Sequence, residues 1–263
     1  MPFKTSLVAS TYNWPEALEL LLLSVKIQTV LPDEVVIADD GSSRATTDLI
    51  ESFQKDFPVP LIHVWQDDNG NRKTSIMNKA IAKATGDYII EIDGDIIMHP
   101  AFVSDHLSLL ENKTFLYGSR VNIQESKLKT LFKGKQIRFH YFSKGIKKRN
   151  RTLRIPLLAN RAQKEIKRSR KLRGCNVSFW KADFIAINGY NEEMTGWGME
   201  DSEMIQRLVN NGISGKRLKH KGIAYHIYHF EQDKSSVPAN QQIELLTEER
   251  KIIKSPKGID QYL

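Results

Sequence analysis

Short apolar runs alternate with stretches of helical periodicity over the first hundred residues. The apolar runs predict β-strands at 6–10, 34–38, 61–65 and 88–92. The periodic stretches predict helices at 16–28, 46–57 and 74–84. Strands that alternate with helices are typical of βαβ units. The pattern therefore predicts an α/β fold in which helices flank a mostly parallel, Rossmann-like sheet.

The pattern is less regular in the second half of the chain. It predicts strands at 116–121, 174–180 and 223–229, and helices at 181–187, from about 196 to 211, and at 241–253. Residues 121–173 are strongly basic, and we expect them to form a helical insertion. The expected organisation is a single domain divided at 1–120, 121–173, 174–232 and 233–263.

Charge is distributed very unevenly along the 263 residues. The net charge is +8, yet residues 127–173 hold eighteen Lys and Arg and one acid, Glu165. The rest of the chain has twenty-one bases against thirty acids, a net charge of −9. An acidic body with one intensely basic segment indicates an anionic partner for that segment.

Composition excludes several protein classes. With 40% hydrophobic residues the chain is typical of globular proteins, and its single cysteine, Cys175, excludes a disulfide framework. The sequence has no run of about 18 apolar residues, and its first residues lead us to expect no signal peptide. The expected compartment is the cytoplasm, with a peripheral position on the inner face of the plasma membrane as an option.

Polar side chains follow three of the predicted strands directly. Ser10 and Tyr12 follow the first strand, Asp40 follows the second, and Asp93 and Asp95 follow the fourth. In sheets of this kind, ligands bind outside the carboxyl ends of the strands. We therefore expect these residues to line a common ligand site.

Asp93 and Asp95 are separated by a single glycine. Mg²⁺ and Mn²⁺ prefer carboxylate oxygens and commonly bridge to substrate phosphates, but Asp-Gly-Asp is also a common turn sequence. His226 and His229 are further candidate ligands, and imidazole would favour Mn²⁺. Because they are three residues apart on one predicted strand, we expect them to face opposite sides, so that at most one binds the metal.

A second acidic pair, Glu200 and Asp201, opens a predicted helix just after Gly196-Trp197-Gly198. Carboxylates in a first helical turn are stabilised by the helix dipole, so a purely structural role stays open. Glycines beside Trp197 would allow its ring to lie against a flat sugar face. A carboxylate there could accept the proton of an attacking hydroxyl group.

Together these motifs resemble the inverting glycosyltransferases of family 2, which have the GT-A fold. The markers of the N-terminal part lie at 10–13, 36–42, 78–86 and 88–95. The C-terminal part is similar to the catalytic region of β-1,4-galactosyltransferases and N-acetylgalactosaminyltransferases, through 187–190 and 196–201. The resemblance covers about 4–120 and 172–230, and the basic segment lies outside it.

The resemblance implies a role for each matching residue. A UDP-sugar donor would be bound by Ser10, Tyr12, Asp40, Arg72, Asp93 and Trp197. Mn²⁺ or Mg²⁺ would be bound by Asp95 as principal ligand, by Asp93, and by His226 or His229. Glu200 would hydrogen-bond a sugar hydroxyl, and Asp201 would be the general base. Residues 1–120 would be the nucleotide-sugar half and 174–232 the acceptor half.

The implied activity is metal-dependent transfer of a hexose or N-acetylhexosamine, with inversion, to a saccharide or lipid-linked acceptor. The product would be a cell-surface polysaccharide or lipopolysaccharide. Two alternatives are a non-catalytic protein that binds carbohydrate or nucleic acid, and a sugar nucleotidyltransferase. The latter would need a Gly-rich phosphate loop, and residues 10–16 contain no glycine.

Several anionic partners fit the basic segment, and a merely solvated face is the simplest alternative. An anionic membrane would attract its lysines and could bury the interleaved Leu131, Phe132, Phe139 and Phe142. A lipid-linked or phosphorylated acceptor would be attracted in the same way. Nucleic acid is the least favoured partner, because the sequence has no RNA-binding or helix-turn-helix signature.

Overall fold

A computed structural model describes residues 3–159, 165–166, 174–230 and 233–263 of the chain. The strands in chain order are β1 (Thr5–Thr11), β2 (Glu34–Asp39), β3 (Leu61–Trp65), β4 (Tyr88–Asp93), β5 (Ile96–Met98), β6 (Thr114–Tyr117), β7 (Arg120–Ile123), β8 (Ile146–Lys147), β9 (Glu165–Ile166), β10 (Val177–Trp180), β11 (Ser214–Arg217) and β12 (Ala224–His226).

The helices are α1 (Pro15–Lys26), α2 (Arg44–Gln54), α3 (Lys73–Lys83), α4 (Phe102–Leu107), α5 (Leu128–Lys133), α6 (Pro156–Ala159), α7 (Lys181–Ala186), α8 (Glu200–Asn210) and α9 (Val237–Glu249). Short 3-10 turns lie at Glu125–Lys127, Arg149–Thr152, Gly174–Asn176 and Ile259–Tyr262.

The large sheet has the strand order β3-β2-β1-β4-β10-β6-β11-β9. The first four of these strands are parallel, and β10 joins β4 antiparallel. The predicted α/β class with a mostly parallel sheet is therefore confirmed. Because β4 lies between β1 and β10, the strand that carries the Asp-Gly-Asp motif is at the centre of the sheet.

Alternating side chains of the inner strands pack into two cores, one on each face of the large sheet. Val8 and Val36 pack with α3, α7 and α8, whereas Leu7 and Val35 pack with α1, α2 and α4. Strands covered on both faces are expected to be almost continuously apolar, as β1 and β2 are. This double cover fixes the strand ends that carry the polar residues.

A small second sheet, in the order β5-β12-β7-β8, lies beyond the end of β4. Only Gly94 and Asp95 separate β4 from β5. The Gly94 N–H donates to the Ser10 carbonyl oxygen at 2.6 Å, and a Cβ on Gly94 would lie 2.6 Å from that oxygen. Glycine is therefore required for the chain to pass so close to β1 and enter the second sheet.

Three element predictions need correction. The single strand expected at 116–121 is two strands, β6 and β7, in different sheets, because the chain turns at Gly118, where a Cβ would clash with Asn176. The strand expected at 223–229 ends at His226. The strand expected at 174–180 begins with a 3-10 turn and becomes extended at Val177. The short elements β5, α4 and β11 were not predicted.

The described part of the basic segment is only partly helical. Residues 121–159 include α5, α6, two 3-10 turns and the strand β8, which pairs with β7 at the edge of the small sheet. Residues 160–164 and 167–173 lie outside the described residues. Among the helices of the described ranges, none has the length and apolar character that crossing a membrane requires.

A buried ion pair ties α8 to its neighbours, and its removal is a test of the fold. Arg207 pairs with Glu203 at 2.8 Å and donates to the Ile187 carbonyl oxygen at 2.6 Å, while Thr247 of α9 donates to Glu203 at 3.0 Å. We expect Arg207→Met to lower the free energy of unfolding by about 3–5 kcal/mol, because Glu203 would remain buried without its cation. Urea denaturation measures this loss.

The control for that prediction replaces both charges. The double variant Glu203→Leu with Arg207→Met leaves no uncompensated charge, and we expect it to lose less stability than Arg207→Met alone. Equal losses for the two variants would show that the uncompensated Glu203 charge is not the cause of the lost stability.

Candidate active site

Acidic side chains meet where β4 ends. Asp93 is the last residue of β4, and its Oδ1 lies 3.0 Å from Lys73 Nζ and 3.3 Å from Ser10 Oγ. Burial disfavours the charged form of Asp93, but the Lys73 ammonium outweighs it and holds the pKa of Asp93 below its usual value. Asp93 is therefore a carboxylate in contact with a fixed cation.

Lys73 is a site residue that the sequence analysis missed. It is the first residue of α3, and its Nζ lies 3.6 Å from Asp201 Oδ1 as well as 3.0 Å from Asp93. Burial would lower the pKa of Lys73, but Asp201 and Asp93 raise it well above its usual value. The signal was present in Asn71-Arg72-Lys73, where the role was assigned to Arg72 instead.

Asp201 is held by contacts from three separate parts of the chain. Its Oδ2 accepts the Gly174 N–H at 2.8 Å, and its Oδ1 accepts the Tyr190 O–H at 3.3 Å and faces Lys73. A Cβ on Gly174 would lie 2.3 Å from Asp201 Oδ1. Glycine is therefore needed at position 174 for this carboxylate to fit.

Glu200 lies beside Asp201 at the start of α8. Its Oε2 accepts the Gly198 N–H at 2.8 Å. Burial and the neighbouring Asp201 raise the pKa of Glu200 to about 7. The acidic pair therefore consists of Glu200, which is partly protonated near neutral pH, and Asp201, which contacts the Lys73 ammonium.

Glu91 and Tyr190 are two further residues that the sequence analysis missed. Glu91 is fully buried in β4, and its Oε1 accepts the Tyr190 O–H at 2.6 Å. Burial raises the pKa of Glu91 to about 8. Within the described residues, Glu91 Oε2 has no hydrogen-bond partner. A charged residue inside an otherwise apolar strand was the sequence signal for this site.

Asp95, His226 and His229 form a cluster of metal-ligand type. The Nε2 atoms of His226 and His229 lie 3.2 Å and 3.4 Å from Asp95 Oδ2, and one ligand atom from each residue lies within 4.8 Å of the others. The expectation that the histidines face opposite sides is wrong. Because β12 ends at His226, His229 is outside the strand and turns towards the same carboxylate.

The chemistry of this cluster fits a divalent cation. Asp95 Oδ1 is buried and, among the described residues, has no hydrogen-bond partner. Burial and the charge of Asp93 raise the pKa of Asp95 to about 8, and a bound cation would favour the charged form of this carboxylate. One carboxylate with two imidazoles suits Mn²⁺ better than Mg²⁺.

The residues predicted to bind the nucleotide lie at the neighbouring strand ends. Asp40 accepts the Arg72 backbone N–H at 2.8 Å and the Gln66 side-chain amide at 2.6 Å. The Tyr12 ring is half exposed, and its hydroxyl donates to Asp68 at 2.9 Å. The Arg72 guanidinium donates to the Asp67 carbonyl oxygen at 3.0 Å. Tyr12 lies two residues after Ser10 in the chain, and Arg72 directly precedes Lys73, so both are close in sequence to the acidic site.

Trp197 lies in the loop that leads into the acidic pair, with its side chain 40% exposed. Gly196, Gly198 and Met199 all have positive φ angles, of 72°, 110° and 72°. A Cβ on Gly196 would lie 2.1 Å from Ser236 Oγ. These constraints fix the conformation of the loop and leave the Trp197 indole ring accessible, three residues before Glu200.

Comparison with protein families gives two matches. The model for glycosyl transferase family 2 matches residues 6–165, and the model for the N-terminal domain of galactosyltransferase matches residues 156–230. The first match continues into the basic segment as far as residue 165 and the second covers the remainder, so the expectation that this segment lies outside the resemblance is wrong. The second confirms the expected galactosyltransferase-like C-terminal region.

Individual proteins agree with these matches. Chondroitin synthase of Escherichia coli is 25% identical over 84% of this chain, which covers 34% of that protein. The match covers from 11% to 52% of the length of this and other curated relatives.

Solved structures show the same fold. The structure of S. aureus TarS 1-349 with UDP has a TM-score of 0.62 at 16% identity, over 95% of this chain and 69% of that one. GalNAc-T7 with UDP, GalNAc and Mn²⁺ has a TM-score of 0.68 at 15% identity, over 93% of this chain and 48% of that one. With a GT-A fold confirmed and more than half of its length matched by one family model, the chain belongs to glycosyl transferase family 2.

Proposed function

We propose that this chain is a metal-dependent inverting glycosyltransferase that transfers a hexose or N-acetylhexosamine from a UDP-sugar. The observation that carries this proposal is the position of Lys73, which contacts Asp93 on the donor side and Asp201 on the acceptor side. The proposed donor site and the proposed base are thus separated only by the Lys73 side chain. Transfer between two substrates requires this proximity.

The donor side has groups suited to a nucleoside diphosphate sugar. Ser10, Tyr12, Asp40 and Arg72 would contact the base, ribose and diphosphate, and Asp93 the ribose or sugar. Asp40 is already engaged by Gln66 and Arg72, but its carboxylate has further lone pairs for a uracil N–H. The solved neighbours TarS and GalNAc-T7 both contain UDP, which supports this donor class.

A metal ion would be held by Asp95, His226 and His229, with Asp93 nearby. When bound, a divalent cation supplies Lewis-acid stabilisation of the diphosphate that leaves the sugar. The Lys73 ammonium contributes a further fixed positive charge at the same place. The Mn²⁺ in the GalNAc-T7 structure supports a metal of this kind.

Asp201 is the proposed general base. Gly174 N–H and Tyr190 O–H orient its carboxylate, which would take the proton of the acceptor hydroxyl as that oxygen attacks the anomeric carbon. Attack from the face opposite the diphosphate inverts the centre, so no covalent sugar–enzyme intermediate is needed. Glu200 would hydrogen-bond a sugar hydroxyl, and the exposed Trp197 ring would pack on a sugar face.

The acceptor we propose is a saccharide, free or linked to a lipid, in the synthesis of a cell-surface polysaccharide or lipopolysaccharide at the cytoplasmic side of the membrane. The similarity to chondroitin synthase supports a polysaccharide product. A non-catalytic binding protein is disfavoured, because Asp93, Asp95, Glu200 and Asp201 are all present at one site. A sugar nucleotidyltransferase is disfavoured by the family match.

The first prediction concerns the base. We expect Asp201→Asn to lower kcat by about 10²–10⁴-fold, because the amide cannot accept the acceptor proton. UDP binding, measured calorimetrically in the presence of Mn²⁺, should persist. Release of UDP from a panel of UDP-sugars with saccharide acceptors measures the rate, and exposed Asp48→Asn is the matched control. A near-normal rate for Asp201→Asn would contradict the assignment.

The second prediction concerns the orientation of that base. Tyr190→Phe removes the hydroxyl that bridges Glu91 and Asp201, and we expect kcat to fall about tenfold with little change in the KM for donor. Tyr88→Phe is the matched control, because it removes an equally buried hydroxyl that bonds Ser178 instead. Equal effects of the two variants on kcat would show a general packing defect.

The third prediction concerns the metal. We expect His226→Ala and Asp95→Asn each to weaken Mn²⁺ binding by at least about tenfold, measured by calorimetry without donor or by the signal of free Mn²⁺ in electron paramagnetic resonance. The exposed His140→Ala should bind Mn²⁺ like the parent chain. Unchanged Mn²⁺ affinity in both site variants would show that the cluster is not the metal site.

A further inference from the structure

The described part of the basic segment forms a cationic cavity at the edge of the small sheet. The cavity has a volume of about 470 Å³ and is lined by Tyr141, Ile146 and residues 147–151. Lys147 and Lys148 are exposed at its wall, and Lys144 is exposed nearby on the same stretch of chain. The cavity therefore offers several ammonium and guanidinium groups to one anionic partner.

The backbone around this cavity is held in a defined shape. The Arg149 guanidinium donates to the carbonyl oxygens of Tyr141 and Ser143 at 2.8 and 2.6 Å. Arg151 donates to the Arg120 carbonyl oxygen at 2.8 Å, and β8 pairs with β7. The two arginines thus shape the cavity, and the exposed lysines provide its outward charge.

Acidic side chains are absent from this part of the sequence. Residues 127–159 contain eleven Lys and Arg and neither Asp nor Glu. Lys135 pairs with Glu19 and Arg154 pairs with Asp105 of the body. Mutual repulsion among so many cations destabilises the free surface, so an anionic partner would stabilise it.

Aromatic side chains are exposed to solvent beside the cations. The Phe142 ring is 80% exposed, and the ring centroids of Tyr141 and His140 lie 5.2 Å and 6.4 Å from its own. A soluble polyanion such as polyphosphate would neutralise the lysines but would leave the Phe142 ring in water. A lipid headgroup region takes up both kinds of group.

We propose that residues 141–151 form a docking site for an anionic lipid bilayer. Lys144, Lys147 and Lys148 contact lipid phosphates, and Phe142 enters the interface between headgroups and acyl chains. Attraction of lysines to an anionic leaflet and burial of one aromatic ring are independent contributions, so the binding has a salt-sensitive and a salt-resistant part.

The position of this surface relates docking to catalysis. Lys147 is in register with Asn122, and Asn122 with His226, so the cavity edge lies two strands, about 10 Å, from the histidine cluster. A docked enzyme would hold its site close to the bilayer, where a lipid-linked acceptor would be found. This last consequence rests on the proposed function, whereas the docking itself does not.

Sedimentation of the full chain with lipid vesicles tests the docking without any sugar transfer. Vesicles of equal parts phosphatidylglycerol and phosphatidylcholine should bind the chain at low salt, and vesicles of phosphatidylcholine alone should not. We expect the triple variant Lys144→Gln, Lys147→Gln and Lys148→Gln to bind on the order of a hundredfold more weakly. The triple variant Lys55→Gln, Lys83→Gln and Lys254→Gln has the same net charge and should bind like the parent.

A second pair of variants tests the apolar contact. We expect Phe142→Ser to bind about tenfold more weakly, with the remaining binding lost at high salt, and Phe142→Trp to bind as well as the parent. Thermal unfolding and UDP release should be unchanged in all of these variants, because the replaced side chains are exposed and lie outside the acidic site. An inactive chain that docks would therefore overturn the proposed function alone.

Three results would overturn the docking proposal. The first is failure to bind anionic vesicles at low salt, and the second is an equal loss of binding in the two lysine variants. The third is binding to single-stranded RNA or polyphosphate without binding to the vesicles, which would assign the surface to a soluble polyanion.

Discussion

Repulsion among carboxylates is the constraint that shapes the end of β4. Five of them act on one another there: Glu91, Asp93, Asp95, Glu200 and Asp201. Their repulsion is strong because the site is largely buried from water, and it helps to raise several of their pKa values. The Lys73 ammonium lies between Asp93 and Asp201 and offsets part of this repulsion. The placement of α3 is therefore as important to the site as the placement of the acids.

The two halves of the chain are joined at this point by an amide side chain. The buried Asn78 of α3 donates to the Tyr190 carbonyl oxygen at 2.9 Å and accepts the Tyr190 N–H at 2.8 Å. These bonds imitate a backbone pair and fix the loop that precedes the acidic pair. They thereby place the Tyr190 hydroxyl between Glu91 and Asp201. The same helix supplies Lys73 at its start and Asn78 in its second turn, so one helix positions two of the three contacts to Asp201.

Local sequence patterns predicted most of the fold and part of the site. The spacing of apolar residues predicted β1 to β4 and the helices between them, because each of these elements buries an apolar face of its own. Lys73, Glu91 and Tyr190 could not be assigned in this way, because their partners are distant in sequence and their roles depend on how the sheet closes. The histidines show the same limit. The alternation at 223–229 continues past His226, but the pairing that ends β12 is set by β5 and β7.

The small sheet also explains how opposite charges coexist in one chain. Its β12 strand carries His226 towards the carboxylates, and its edge strand β8 carries Lys147 away from them. Ion pairing between the basic segment and the acidic site would neutralise the carboxylates that a metal and a donor require. The backbones of β7 and β12 separate the two by about 10 Å, close to the distance over which physiological salt screens exposed charges. Each surface is therefore free to attract the partner proposed for it, a cation at the site and an anion at the edge.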